Sequence, residues 1–308
     1  MDTTNPPFLP GYPSAKRYPL ERYLPPLPMG MAAGWLKGQV ATGGWVLDPF
    51  GATVQLPLEM ARAGYRVLAA VNNPIVAFLI ETQAAAAPVG EYHAALAELA
   101  SARKGEERLE KHIQSLYNTE CPHCHAVIQA KAFTWQKDAK APDTCLITCP
   151  HCGETGEHPV SAASLEQLRT FTPAQRGFTT NMHHARALER VALPDDPARG
   201  NVEDALKCYP ARQLYAIMTM INRMGNPSAN PLRHKLITAL IISACDEGWS
   251  YPAQRSRPKQ LLPVKQQEIE RQVTLLDAVA QFYLAGQDFF LDQPGHPWLP
   301  GPVALGGV

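Results

Sequence analysis

The chain lacks net charge of either sign. Its 308 residues carry 28 Lys+Arg against 28 Asp+Glu, which excludes a polycation that grips nucleic acid through bulk charge. Any such contact must come from a local patch. It also lacks an apolar run of the roughly 20 residues that a membrane helix needs, so no membrane partner is expected. The Pro-rich start has no apolar signal core, which makes the cytoplasm the expected compartment. The seven cysteines are an odd number, and without an export signal they argue against a disulfide framework. Apolar residues are plentiful at 45%, which excludes wholesale disorder and allows one large domain or two modest ones. Proline is abundant too: 29 residues, about twice the usual fraction.

Four of the cysteines repeat one phrase. Cys121-Pro122-His123-Cys124 and Cys149-Pro150-His151-Cys152 are Cys-x-x-Cys turns separated by 24 residues, and Gly153 follows the second. A thioredoxin-like redox pair needs only one such turn. Four thiolates at ~2.3 Å from one ion make a closed tetrahedral zinc site. The stretch between them holds Val127-Ile128, Phe133-Thr134-Trp135 and Leu146-Ile147-Thr148, which read as strands of a zinc ribbon. With four protein ligands the ion is structural, holding a segment of about 40 residues that has too little core of its own. His123, His125 and His151 are expected to face solvent. Cys145 is expected to be a spare strand thiol, and Cys208 and Cys245 core thiols.

Residues 1–29 contain eight prolines and read as an extended arm packed along its own domain. Trp45-Val46-Leu47 reads as a strand, 56–64 as a helix ending at Gly64, 66–71 as a second buried strand and 75–87 as a helix. Strand, helix, strand and helix in that order predict a parallel βαβ unit with a right-handed crossover. Residues 91–117 are expected to be helical. Beyond the ribbon, apolar stripes predict core helices over 212–224, 232–244 and 265–284, the last carrying Ile269, Val273, Leu276, Val279 and Tyr283. The tail after Gln293 is Pro/Gly-rich and expected to be loose.

Ligands of open α/β sheets bind at the carboxyl ends of strands. Asp48-Pro49-Phe50-Gly51 and Val71-Asn72-Asn73-Pro74 occupy two such ends. Together with Glu59 and Ala63-Gly64-Tyr65-Arg66-Val67-Leu68, they resemble the adenosylmethionine motif of DNA amino-methyltransferases. A ribbon following this unit is similar to the adenine-specific DNA methylases that carry a zinc ribbon. The resemblance implies an α/β fold: a partial Rossmann-like methyltransferase βαβ unit, an inserted zinc ribbon and a helical C-terminal region. Its expected segments are an arm over 1–29, the Rossmann-like region over 30–117, the ribbon over 118–158, helices over 159–292 and a flexible tail over 293–308. It further implies S-adenosylmethionine as cofactor, bound by Asp48, Pro49, Phe50, Gly51, Asn72, Asn73 and Pro74, and DNA as partner.

The pattern departs from the family twice. After Phe50 the chain reads Gly51-Ala52-Thr53-Val54, so the usual glycines are shifted or lost, and Val71 stands where the family has an acid for the ribose hydroxyls. No Asp/Asn-Pro-Pro-aromatic motif follows the ribbon; Asn5-Pro6-Pro7-Phe8 matches, but only four residues precede it. The catalytic strand is therefore expected on a second subunit or in a continuation of the chain. The reading is an adenine-N6 type methyltransferase-like protein, the cofactor-binding and DNA-positioning part of a split or incomplete enzyme. Its competitor is a catalytically silent zinc-ribbon scaffold that binds nucleic acid. Candidate phosphate contacts are Arg212, Arg223, Arg233 and Lys235, then Arg255, Arg257, Lys259 and Lys265, with Lys131, Lys137 and Lys140 on the ribbon hairpin. The alternative for all of them is a solvated surface.

Overall fold

The computed structural model describes residues 9–13, 24–25, 27–84, 87–136, 139–171, 178–206, 209–250, 267–271 and 304–306. These fall into two compact units, one within 1–92 together with 304–306, the other within 93–278. Helices and small sheets mix in both, an α/β architecture. Among the described residues no helix is long and apolar enough to cross a membrane.

The first unit runs α1 (Met31–Leu36), β1 (Trp45–Asp48), α2 (Gln55–Arg62), β2 (Arg66–Ala70) and α3 (Pro74–Ala84). β1 and β2 pair in parallel, with Asp48 opposite Ala69. On the other edge of β2 lies a parallel strand, Ala304–Gly306, taken from the segment expected to be loose. α2 closes with a paired-hydrogen-bond stop: Gly64 N–H donates to Ala61 O and Tyr65 N–H to Met60 O. Tyr65 and Met60 then meet in a core with Leu36, Ala61 and Val67, the apolar contact that accompanies this helix ending. The Glu59 carboxylate on α2 takes the free amides at the start of α1, accepting from Gly30 N–H at 3.0 Å and Ala33 N–H at 2.9 Å. In the arm, Tyr12 and Met29 exchange backbone hydrogen bonds, so these residues pack along their own unit.

The expectation of a buried second strand is corrected. β2 alternates, with Arg66 and Leu68 outward and Val67 and Ala69 inward. Trp45, Leu47 and Leu68 leave one face of the sheet exposed, and the Arg66 guanidinium lies 5.8 Å from the Trp45 ring centroid. Parallel sheets ordinarily cover both faces.

The second unit begins within α4 (Val89–Ser101). A hairpin of β3 (Arg103–Lys104) and β4 (Glu107–Arg108), turning at Gly105-Glu106, leads to α5 (Leu109–Ser115). The single helix expected over 91–117 is thus broken where glycine favours a turn. β5 (Asn118–Glu120) and β6 (Val127–Gln129) pair. They are followed by β7 (Ala132–Gln136), β8 (Thr144–Thr148) and β9 (Thr155–Pro159). Helices α6 (Ala162–Arg169), α7 (Phe178–Val191), α8 (Arg199–Leu206), α9 (Ala211–Ile221) and α10 (Pro231–Gly248) come next, then β10 (Trp249–Ser250) and β11 (Gln267–Arg271). The antiparallel order is β10-β11-β7-β8-β9.

β11 corrects the helix expected over 265–284. Gln267–Arg271 forms a five-residue ladder with β7. Gln267-Glu268-Ile269-Glu270-Arg271 holds one apolar residue, too few to set either a helical or a strand period, and the edge of β7 to pair with decides for the strand. The rest of that segment lies outside the described residues.

Arg212 is a further correction. It lies in the first turn of α9, expected on the surface as a phosphate contact or a solvated cation, yet it is 1% exposed. Its guanidinium lies 3.9 Å from the Phe133 ring centroid and 5.0 Å from that of Tyr117. It anchors the helices to the strand layer from inside. Arg212→Ala should lower the stability of the chain by about 3 kcal/mol, the sum of a desolvated cation–π contact and the space left behind. The urea midpoint checks this, and an unchanged midpoint would place the side chain outside the core.

Candidate functional site

The four repeated cysteines converge. The sulfurs of Cys121, Cys124, Cys149 and Cys152 lie within 4.8 Å of one another, with Cys121 Sγ 3.7 Å from Cys152 Sγ and Cys124 Sγ 3.6 Å from Cys149 Sγ. Both spacings are far from the ~2.05 Å of a disulfide. They match the ~3.8 Å edge of a tetrahedron whose centre is ~2.3 Å from each sulfur. The donor set and its spacing therefore fit a metal ion such as zinc.

The two knuckles are built alike. Cys121 N–H donates to Ala126 O, and His125 N–H returns to Cys121 O. Cys149 N–H donates to Glu154 O, and Gly153 N–H returns to Cys149 O. Each chain reversal needs a left-handed residue just after the second cysteine. Gly153 supplies it at φ +79, but the other knuckle uses His125 at φ +58. Among the described residues this is the one non-glycine with positive φ, a conformation that costs an L-residue about 1 kcal/mol. The His125 ring is tied back to Glu120 at 2.6 Å. His123, His125 and His151 are exposed, and Cys145 is a buried strand thiol outside the cluster. Cys208 and the side chain of Cys245 lie outside the described residues.

The four thiols split, with Cys121 and Cys149 drawn toward the thiolate and Cys124 and Cys152 held away from it. Burial pushes the Cys149 thiol up. Donation from the amides of Cys152 and His151 and from the thiols of Cys152 and Cys124 outweighs that and sets it at about 7. Metal binding then displaces the remaining thiol protons, so affinity must fall as pH falls.

The second candidate site is the pair of strand tips in the first unit. Asp48 ends β1, 4% exposed. Its Oδ1 accepts from Phe50 N–H and Gly51 N–H, each at 3.1 Å, an Asx turn that folds the loop. Its Oδ2 is buried and lacks a hydrogen-bond partner. Pro49 is exposed, and Phe50 projects into solvent at 83% exposure. Gly51 has φ +48, and a Cβ there would overlap Ala70 O and sit 2.6 Å from Val71 Cγ2. The β1 loop is thus seated directly on the end of β2. After β2, Asn72, Asn73 and Pro74 are exposed. Asn73 Oδ1 caps α3, accepting from Ile75 N–H at 2.9 Å and Val76 N–H at 3.4 Å, and Pro74 opens the helix where no amide is needed. The seven expected cofactor residues do gather at neighbouring tips. Several also have backbone work that the sequence did not reveal. Asn5-Pro6-Pro7-Phe8 lies outside the described residues.

No protein-family model, curated protein or solved structure matched the chain.

Two outcomes are expected. The purified chain should bind one equivalent of Zn2+ or Co2+ with a thiolate-to-cobalt absorption. Cys→Ser at 121, 124, 149 or 152 should weaken it by orders of magnitude, whereas Cys145→Ser should not. Gly51→Ala should destabilise the first unit by about 2–3 kcal/mol through strain and overlap, which thermal unfolding monitored in that unit will report.

Proposed function

We propose that the chain is the cofactor-binding and DNA-positioning part of an S-adenosylmethionine-dependent methyltransferase of the adenine-N6 type. In this reading the first unit is a partial Rossmann-like fold and the four cysteines clasp a structural zinc ribbon. The supporting observation is the pairing of β1 with β2 in parallel, which sets Asp48-Pro49-Phe50-Gly51 beside Asn72-Asn73-Pro74. Crevices outside such tips are where open α/β sheets take nucleotide-like ligands.

Adenosylmethionine supplies a methyl group on a sulfonium centre. The chain's own residues would hold it. The unpartnered Oδ2 of Asp48 is an acceptor waiting for a ligand N–H, since a buried carboxylate oxygen without a donor is costly. The exposed Phe50 ring offers an apolar face to an adenine. Asn73 has its side-chain oxygen committed to α3, which leaves its amide nitrogen as the group to offer a ligand. The grip on the target base, which the family draws from an Asp/Asn-Pro-Pro-aromatic strand, is assigned to a second subunit or a continuation of the chain.

A second reading has its own observation. Val71 is buried at 6% exposure, where the family's ribose-binding acid would stand, and Gly51 packs on it. This favours a pocket that has lost the cofactor, leaving a zinc-clasped, nucleic-acid-binding scaffold. Calorimetry with adenosylmethionine separates the two. Binding in the micromolar range, weakened at least about tenfold by Phe50→Ala, supports the first; silence at millimolar cofactor leaves the scaffold. Methyl transfer only after co-purification with a chain bearing the missing motif would identify a split enzyme.

A further inference from the structure

The basic stretch 212–235 does not stay together in the fold. Arg212 is buried, and Arg233 lies 3.7 Å from Glu98. Arg223, just past the end of α9, joins a different group: Lys104 on β3, and Arg186 on α7 one turn beyond His183. Arg186 and Arg223 are exposed and Lys104 is half-buried.

Beneath these cations is a floor of side chains whose hydrogen bonds are assigned. His112 Nδ1 lies 2.8 Å from Glu107, and its Nε2 3.0 Å from the Tyr215 hydroxyl. Glu107 can only accept, so His112 donates from Nδ1. The Thr219 hydroxyl donates to Tyr215 O at 2.7 Å, leaving its oxygen to accept from His183 Nε2 at 3.1 Å. Asn222 Nδ2 donates to both His183 Nδ1 and His183 O, at 3.1 and 2.8 Å. His183 is therefore the neutral Nε2–H tautomer. Burial, then Lys104, Arg223, His112 and Arg186, hold its pKa down to about 4. Phe171 packs on Tyr215 at 5.0 Å between centroids, and Lys104 Nζ lies 5.6 Å from the Tyr215 centroid.

The group is under-compensated. Glu107, opposite Lys104 on the hairpin, faces His112, and Glu189 stands one turn beyond Arg186 on α7. Among the described residues no carboxylate pairs with Lys104, Arg186 or Arg223. Lys104 is pushed down by burial and by the charge of Arg223, so the cations raise one another's cost.

From this juxtaposition we infer that Lys104, Arg186 and Arg223 form a binding site for successive phosphates of a nucleic-acid strand, with the His183–Tyr215 floor fixing their spacing. Three cations from three separate elements suit a string of phosphodiesters, since each can meet its own oxygen. The inference rests on the reading that the chain positions nucleic acid, and it names where the backbone lies. It does not depend on the cofactor.

The test is fluorescence anisotropy of the full, metal-loaded chain with a labelled duplex, and with the single strand, over a salt series. The combined variant Lys104→Gln, Arg186→Gln, Arg223→Gln should bind at least tenfold more weakly near 0.1 M salt. It should flatten the log–log salt slope by about 2–3, close to 0.9 per lost contact. The charge-keeping variant Lys104→Arg, Arg223→Lys should retain the slope and covers the case in which the Gln variant fails to fold. An unchanged slope in a folded Gln variant overturns the site. Binding of pyrophosphate without binding of either oligonucleotide overturns the nucleic-acid occupant and leaves a small-phosphate site. Absence of adenosylmethionine binding alongside the expected slope change removes the methyl-donor reading alone.

Discussion

Four cysteine sulfurs gathered within 4.8 Å cannot all ionise side by side without a cation, and as thiols they make only weak hydrogen bonds. The arrangement is worth its constraint only when a metal shares their charge. Two turns separated by 24 residues are thereby drawn together, and β7 and β8 run antiparallel between them. That pairing presents the ring of Phe133, on which Arg212 stacks, and Arg212 brings α9 with it. The order of the second unit therefore runs outward from the sulfur cluster, through a ladder, to a buried cation and then to helices.

The knuckles were legible because their chemistry is local: Cys-x-x-Cys fixes both ligands and turn. Strands β6, β7 and β8 were legible from their runs of β-branched and aromatic residues, and β8 alternates buried and exposed residues cleanly, whereas β5 and β9 have no such run. The parallel pair β1–β2 was legible because two apolar runs flank a helix with a glycine stop. What failed was whatever depended on a distant partner. Gln267–Arg271, with Ile269 as its one apolar residue, favours neither a helix nor a strand by itself, and the edge of β7 selects the strand. Arg212 looks like any surface cation until aromatic rings from 95 and 79 residues away in sequence enclose it. The Lys104–Arg186–Arg223 group joins three elements that share no local pattern, so no window of sequence could have shown it.

The strand tips carry a further lesson about motif residues. Asp48 folds its own loop, Asn73 caps α3, and Glu59 holds the start of α1. Each would be retained for the backbone alone, whatever the crevice binds. The Oδ2 of Asp48 is the exception, since nothing in the backbone uses it. A motif of this kind is thus partly a recipe for a turn and partly a recipe for a ligand, and the two can be lost separately.

The uncovered face of the parallel sheet gives the first unit its own optical reporter. Trp45 stands in water at 59% exposure beside Leu47, under the Arg66 guanidinium. Whatever settles on that face must dry the indole and move the guanidinium aside. Its arrival would be written as a blue shift in the emission of Trp45 once the other four tryptophans, the half-exposed Trp35 of the same unit among them, are replaced by Phe.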